Sequence, residues 1–252
     1  MNLVQGIILG IIQGLTEFLP VSSSGHLVII QSLFKNFHQP GISFDVFLHL
    51  GTLFSVLIYF RKDILEILSF KRKRLIILII IGTIPAGIVG IFFKDIIENL
   101  FQNVKLVGVS LIFTGFLLYI SDKITITDKK EEDITIIDAI IIGVFQAIAI
   151  IPGVSRSGST ITAGIFRNLK REVAVKFSFL LSIPAILGAV VLSLKDFQHI
   201  PHSYYIPYIS GFLFSTITGI VSLKILSIMT EIKSLKYFSY YCWTVGILSF
   251  II

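Results

Sequence analysis

The chain has 252 residues, of which 54% are hydrophobic and 14% charged, against about 45–50% and about 25% in an ordinary soluble domain. Its mean hydropathy of +0.91 excludes a water-soluble enzyme and a disordered segment. The formal charge of +6 does not indicate a nucleic-acid partner, because the basic residues are gathered between apolar runs.

The composition predicts an all-α polytopic membrane protein forming a single membrane domain. Cys242 is the one cysteine, so no disulfide forms within the chain. The first charge is Glu17 and the first basic residue Lys35. A cleavable signal peptide, which needs a basic leading region, is therefore not expected.

A bilayer core needs about 20 mostly apolar residues, within about 17–25. The first apolar run, 2–34, exceeds one span but is interrupted by Pro20-Val21-Ser22-Ser23-Ser24-Gly25. Ordinary spans are then expected at 46–60, 75–93 and 106–121. After a loop at 122–133, the run 139–166 is interrupted by Pro152-Gly153-Val154-Ser155-Arg156-Ser157-Gly158. Three more spans are expected at 177–194, 203–223 and 237–252, six in all. Each half of an interrupted run is too short to cross alone. Non-helical backbone at membrane depth survives only inside protein or around water. Each interrupted run is therefore read as a re-entrant helix–loop–helix hairpin.

The two hairpins look like copies. Gly10, Gln13, Val21, Ser22, Ser24, Gly25 and Phe44 recur 133 positions later as Gly143, Gln146, Val154, Ser155, Ser157, Gly158 and Phe177. The halves are expected at about 1–121 and about 134–252, joined by cytoplasmic loop 122–133. Fifteen Lys and Arg lie in 61–74, 122–135, 167–176 and 229–236; the other loops hold Lys35, Lys94, Lys105 and Lys195. By the positive-inside rule, 61–74 is cytoplasmic and the N-terminus, the 36–43 loop and the C-terminus are outside. Asn36 and Gln198 are thus expected outside and Thr127 inside. The hairpins then enter from opposite faces, an inverted-topology repeat with its site near the midplane.

Few ionisable residues remain at depth: Glu17 in the first hairpin and Arg156 at the tip of the second, with Asp45, Asp138 and Lys224 near segment ends. A charge at the bilayer centre costs about 2.5–3.5 kcal/mol on insertion scales, so such residues usually serve a function. One reading is an ion pair that only locks the hairpins together. The other is a phosphate site. Ser22, Ser23, Ser24, Ser155 and Ser157 offer hydroxyls, and Gly25, Gly153 and Gly158 let backbone N–H groups approach a ligand. The helix N-termini after each loop favour anions, and the guanidinium of Arg156 matches phosphate oxygens. His26 is a candidate acid, base or nucleophile. Gln13 and Glu17 share one helix face and suit a divalent cation. Phosphoryl transfer needs mainly positioning and charge stabilisation, which this set offers.

The segments Gln13-Gly14-Leu15-Thr16-Glu17, running on through Pro20-Val21-Ser22-Ser23-Ser24-Gly25-His26, and Pro152-Gly153-Val154-Ser155-Arg156-Ser157-Gly158-Ser159-Thr160 resemble the two signatures of the undecaprenyl-diphosphate phosphatase family, the bacitracin-resistance proteins. The resemblance covers essentially the whole chain. It implies a divalent-cation-assisted phosphatase, with Mg2+ or Ca2+, that converts a C55 lipid diphosphate to the monophosphate carrier for peptidoglycan and cell-wall synthesis. The implied site opens toward the outer face of the cell membrane. By position, Glu17, Ser23, His26 and Arg156 would be catalytic, Thr160 would join the phosphate-binding set, and Glu17 with Gln13 would hold the metal. Gln13 stands where the family often has Glu. Whether Ser23 or His26 attacks phosphorus is left open.

Two other classes are weighed. A phosphatase of the phosphatidic-acid phosphatase type 2 superfamily needs a histidine six residues after its arginine; Thr162 stands there, which rejects it. A transporter or lipid flippase suits inverted repeats and broken helices but needs no reactive group. Phosphate release by purified protein separates it from an enzyme.

Overall fold

A computed structural model describes residues 1–35, 37, 42–124, 128–197, 200–231 and 234–252. Asn36, Thr127 and Gln198 lie outside the described residues. Among these the fold is all-helical; strand pairing is limited to one bridge between Lys129 and Leu169. The first half comprises α1 (Leu3–Phe18), α2 (Ser23–Leu33), α3 (Ser43–Tyr59), α4 (Arg61–Leu68), α5 (Lys73–Phe92), α6 (Lys94–Leu100) and α7 (Val104–Asp122). The second comprises α8 (Ile136–Ile148), α9 (Arg156–Phe166), α10 (Arg171–Leu192), α11 (Leu194–Phe197), α12 (Tyr205–Glu231) and α13 (Lys236–Leu248).

Among the described residues, four helical segments are long and apolar enough to cross a membrane: Lys73–Phe92, Val104–Asp122, Arg171–Leu192 and His202–Ile228. A fifth arises if α3 and α4, bent by 85° at Phe60, count as one. The segment expected at 237–252 is shorter than its apolar run. Its helix stops at Leu248 after 13 residues, about 20 Å at 1.5 Å per residue. The long helices turn their largest apolar side chains outward, as with Ile77, Ile80, Ile84 and Ile88 on α5 and Ile206, Ile209, Leu213 and Ile217 on α12. Their interior carries serine and threonine, among them Ser55, Thr114, Ser178 and Ser215, all almost fully buried. Apolar outside and polar inside is the arrangement of a multi-pass membrane protein.

Side-chain contacts sort the chain ends into two groups. At one end, Arg72 pairs with Asp63 (3.2 Å), Glu66 (2.6 Å) and Glu131 (2.9 Å), while Lys176 pairs with Asp63 (2.6 Å) and Glu131 (3.0 Å). Arg171 reaches Asp122 at 3.4 Å, and the Leu235 amide donates to the same carboxylate at 2.7 Å. At the other end, Met1, Phe34, Phe37, Ile200 and Tyr204 pack around Phe44 and Tyr208. Phe101 and Val104 pack in a separate cluster with Val28 and Ile29. The run holding α1 and α2 therefore begins and ends in one cluster. The run holding α8 and α9 likewise returns on itself, since Arg167 Nε donates to Asp138 Oδ1 at 2.6 Å.

The two broken runs each lean on the opposite half. The face Gly6, Gly10 and Gly14 of α1 lies against α12 so closely that a Cβ on Gly6 or Gly10 would sit 2.5 Å from the carbonyl oxygen of Pro207 or Gly211. Small residues at this spacing let backbones approach in a membrane. Gly143 of α8 meets the backbone of Gly82 on α5 in the same way. The pairing is exchanged between halves: α1 with α12, α8 with α5.

Candidate active site

The breaks in the two runs face each other inside the protein. Pro20 cannot continue α1, and the chain turns through Ser22 at φ 68°, a left-handed conformation unusual outside glycine. Ser22 caps α2 by accepting the Gly25 N–H at Oγ (3.2 Å). In the second run Gly153 takes φ 92°, where a Cβ would meet the Val107 carbonyl oxygen at 2.5 Å. Ser155 then caps α9 by accepting the Gly158 N–H (3.0 Å). Thr114 of α7 braces this turn, donating to Gly153 O and accepting from Ser155 N, both at 3.1 Å. The two tips touch: a Cβ on Gly25 would lie 3.0 Å from Gly153 Cα, and Ser157 Oγ donates to Leu19 O at 3.2 Å.

Glu17, 6% exposed, sits at this junction. Its Oε1 accepts from Arg156 at 2.6 Å. Its Oε2 accepts from Ser23 Oγ at 2.6 Å and from Gln13 Nε2 at 3.0 Å, with His49 Nε2 at 3.3 Å. A second nitrogen of Arg156 donates to Ser178 O at 3.3 Å. A guanidinium has five N–H donors, so three remain for a ligand. Thr160 is held beneath it, bonded to Arg156 O (2.8 Å) and Ser178 Oγ (2.6 Å).

Of the residues expected to act together, Glu17, Ser23, Gln13 and Arg156 form one bonded network. His26 stands apart from it. Its Nδ1 donates to Ser22 O at 2.7 Å, which leaves Nε2 to accept from Tyr241 O–H at 2.8 Å. Ser24 reaches Ser22 Oγ (3.3 Å), and Ser155 reaches Ser157 (3.2 Å). The N–H groups of Gly25 and Gly158 are taken up by the helix caps.

Two contributors were not expected from the sequence. His49 lies within the apolar run 46–60 and is fixed through Nδ1 to Asp45 O at 2.7 Å. Counting imidazoles along with charged residues at depth finds it. Tyr241 comes from α13, 215 positions from His26, and has no local signal. Among the described residues no three His, Cys, Asp or Glu side chains cluster as a metal cage. Among the same residues, however, the buried Gln13 carbonyl oxygen has no hydrogen-bond partner. An orphaned oxygen one turn from Glu17 fits a cation that takes its remaining ligands from phosphate oxygens.

Residues 6–248 match the family model described as bacitracin resistance protein BacA. An undecaprenyl-diphosphatase of Halothermothrix orenii is 46% identical, covering 100% of this chain and 98% of its own length. That of Carboxydothermus hydrogenoformans is 45% identical, covering 98% and 96%. That of Methanobrevibacter smithii is 42% identical, covering 99% and 97%. With the paired tips, the buried Glu17–Arg156 contact and likeness along the whole length, the chain belongs to the bacitracin resistance protein BacA family.

Proposed function

We propose that this chain is a membrane phosphatase that hydrolyses undecaprenyl diphosphate to undecaprenyl phosphate and inorganic phosphate, recycling the carrier lipid for cell-wall synthesis. Membership of the family carries the activity, and the Ser23–Glu17–Arg156 network carries its chemistry. Nothing favours the transporter reading. Ser23 is the nucleophile: its hydroxyl already donates to a carboxylate at 2.6 Å, the signature of an activated nucleophile beside its base. Glu17 takes the Ser23 proton as Oγ bonds to the terminal phosphorus. The bond from that phosphorus to the bridging oxygen breaks, and the lipid monophosphate departs with that electron pair. Water then attacks the phosphoserine and releases phosphate. Arg156 turns its remaining donors to the phosphoryl oxygens. His26, one helical turn beyond Ser23, accepts at Nε2, once Tyr241 yields it, the proton of the water that attacks the phosphoserine. A divalent cation, Mg2+ or Ca2+, would be held by Glu17 and Gln13 with substrate oxygens and would neutralise diphosphate charge.

The chain crosses the membrane six times, with α1–α2 and α8–α9 as hairpins dipping in from opposite faces. The returning ends of both runs and the gathering of the basic loops at one end support this reading. The polyprenyl tail stays in the bilayer, where each buried methylene contributes about 0.8 kcal/mol, and only the head reaches Glu17. By the charge bias the site faces outward. Mixing purified protein with substrate labelled in its terminal phosphate and quenching in acid tests the chemistry. Phosphoserine survives acid and phosphohistidine does not. An acid-labile label retained by Ser23→Ala would overturn the assignment, and absence of phosphate release would overturn the activity.

A further inference from the structure

A groove of about 600 Å3 opens between the first turns of α5 and α8, lined by Arg74, Ile77, Leu78, Ile134, Thr135, Ile136 and Ile137. A smaller hollow of about 240 Å3 shares Arg74 and Leu78 with it. The groove lies among the basic loops, away from Glu17. Ile77, Ile136 and Ile137 along it are more than half exposed, so in a bilayer their neighbours are lipid chains. Among the described residues, Arg74 is the one charged side chain lining the larger groove. It donates to the carbonyl oxygens of Glu132 and Ile134. Among the described residues no carboxylate pairs with it, whereas neighbouring Arg72 is paired three times over. Two of its five donors are used; the others face no acidic partner. Arg74 also stands at the polar start of a helix whose next turns are lipid-facing.

We propose that this groove binds one anionic phospholipid, its acyl chain along Ile77, Ile136 and Ile137 and its phosphate at Arg74. Cation at the polar rim and apolar floor running into the membrane match such a lipid end for end. Basic pockets between membrane helices commonly hold anionic head groups. A Lys or Arg near the surface contributes about 1 kcal/mol toward an anionic lipid, or about fivefold. The proposal rests on the topology above only for which leaflet supplies the lipid.

Native mass spectrometry of the full chain in detergent, with dioleoyl phosphatidylglycerol or dioleoyl phosphatidylcholine added, tests it. The native chain should hold one phosphatidylglycerol about fivefold more readily than phosphatidylcholine. Arg74→Gln should bring the two to parity, and Arg74→Lys should restore the preference although it loses the paired carbonyl contacts. Ile137→Trp, which fills the groove, should lower retention of both lipids. Hydrolysis of undecaprenyl diphosphate in lipid-free micelles should be unchanged in all three, which also confirms that they fold. An undiminished preference in Arg74→Gln, or native retention in Ile137→Trp, overturns the proposal whatever the enzyme's activity.

Discussion

Arg156→Lys separates a catalytic guanidinium from a structural ion pair. In the resting site Arg156 binds Glu17 at 2.6 Å and Ser178 O at 3.3 Å through different nitrogens. A lysine keeps the charge but cannot hold both while presenting a fork to phosphate. Losing one preorganised donor at a developing charge lowers turnover about 10²–10³-fold, or about 2.7–4 kcal/mol. Stability should change little, because the Glu17 carboxylate keeps a cation and its bonds to Ser23 and Gln13. Arg156→Gln is harsher, since uncompensated buried charge costs about 3–5 kcal/mol. Phosphate release from detergent-solubilised substrate, with thermal unfolding measured on the same samples, reads both effects. If the pair only locks the tips together, Glu17→Gln/Arg156→Gln restores balance and recovers activity lost in Arg156→Gln. Such recovery would refute the catalytic role.

Four further outcomes are expected. His49→Leu removes the imidazole contact to Glu17 and should lower kcat/KM at least tenfold, since a bond to a charged group contributes about 1.5–3 kcal/mol; His49→Gln, which can still donate, should recover most of it. Tyr241→Phe deletes the one hydroxyl on His26 Nε2 and should change kcat by about fivefold, from about 1 kcal/mol for a neutral bond, with an altered pH–rate profile and little change in KM. Gly10→Leu forces a side chain into the α12 backbone and should lower the Tm while leaving Gly188→Ala, which meets open space, near native. In a Cys242→Ser background, which keeps a donor toward Pro20 O, a membrane-impermeant thiol reagent on intact cells should label Gln102→Cys and spare Ser69→Cys; the reverse pattern would turn the site to the cytoplasm.

The two breaks were legible because proline and glycine act on the backbone locally, and an apolar run cannot hide them. Glu17 and Arg156 stood out because charge at depth is costly whatever the fold. Other features depend on distant contacts. The early stop of α13 leaves no mark on an apolar run, and only tertiary packing brings Tyr241 to His26. The caps follow a local rule: Ser22–Gly25 and Ser155–Gly158 have the three-residue spacing of a helix cap, and the serine hydroxyls accept the glycine N–H groups. That register also explains the division of labour. With Ser22 and Ser155 as caps, the next residue of each tip begins its helix, and these are Ser23 and Arg156. They stand at matching positions of the repeat, flanked by matching Ser, Ser and Gly, and they grip opposite oxygens of the same carboxylate, Oε2 and Oε1. One scaffold position has thus become a hydroxyl in the first tip and a guanidinium in the second. Exchanging them, as Ser23→Arg/Arg156→Ser, would preserve composition and contacts to Glu17 yet place the attacking oxygen on the wrong tip, so activity should not survive the exchange.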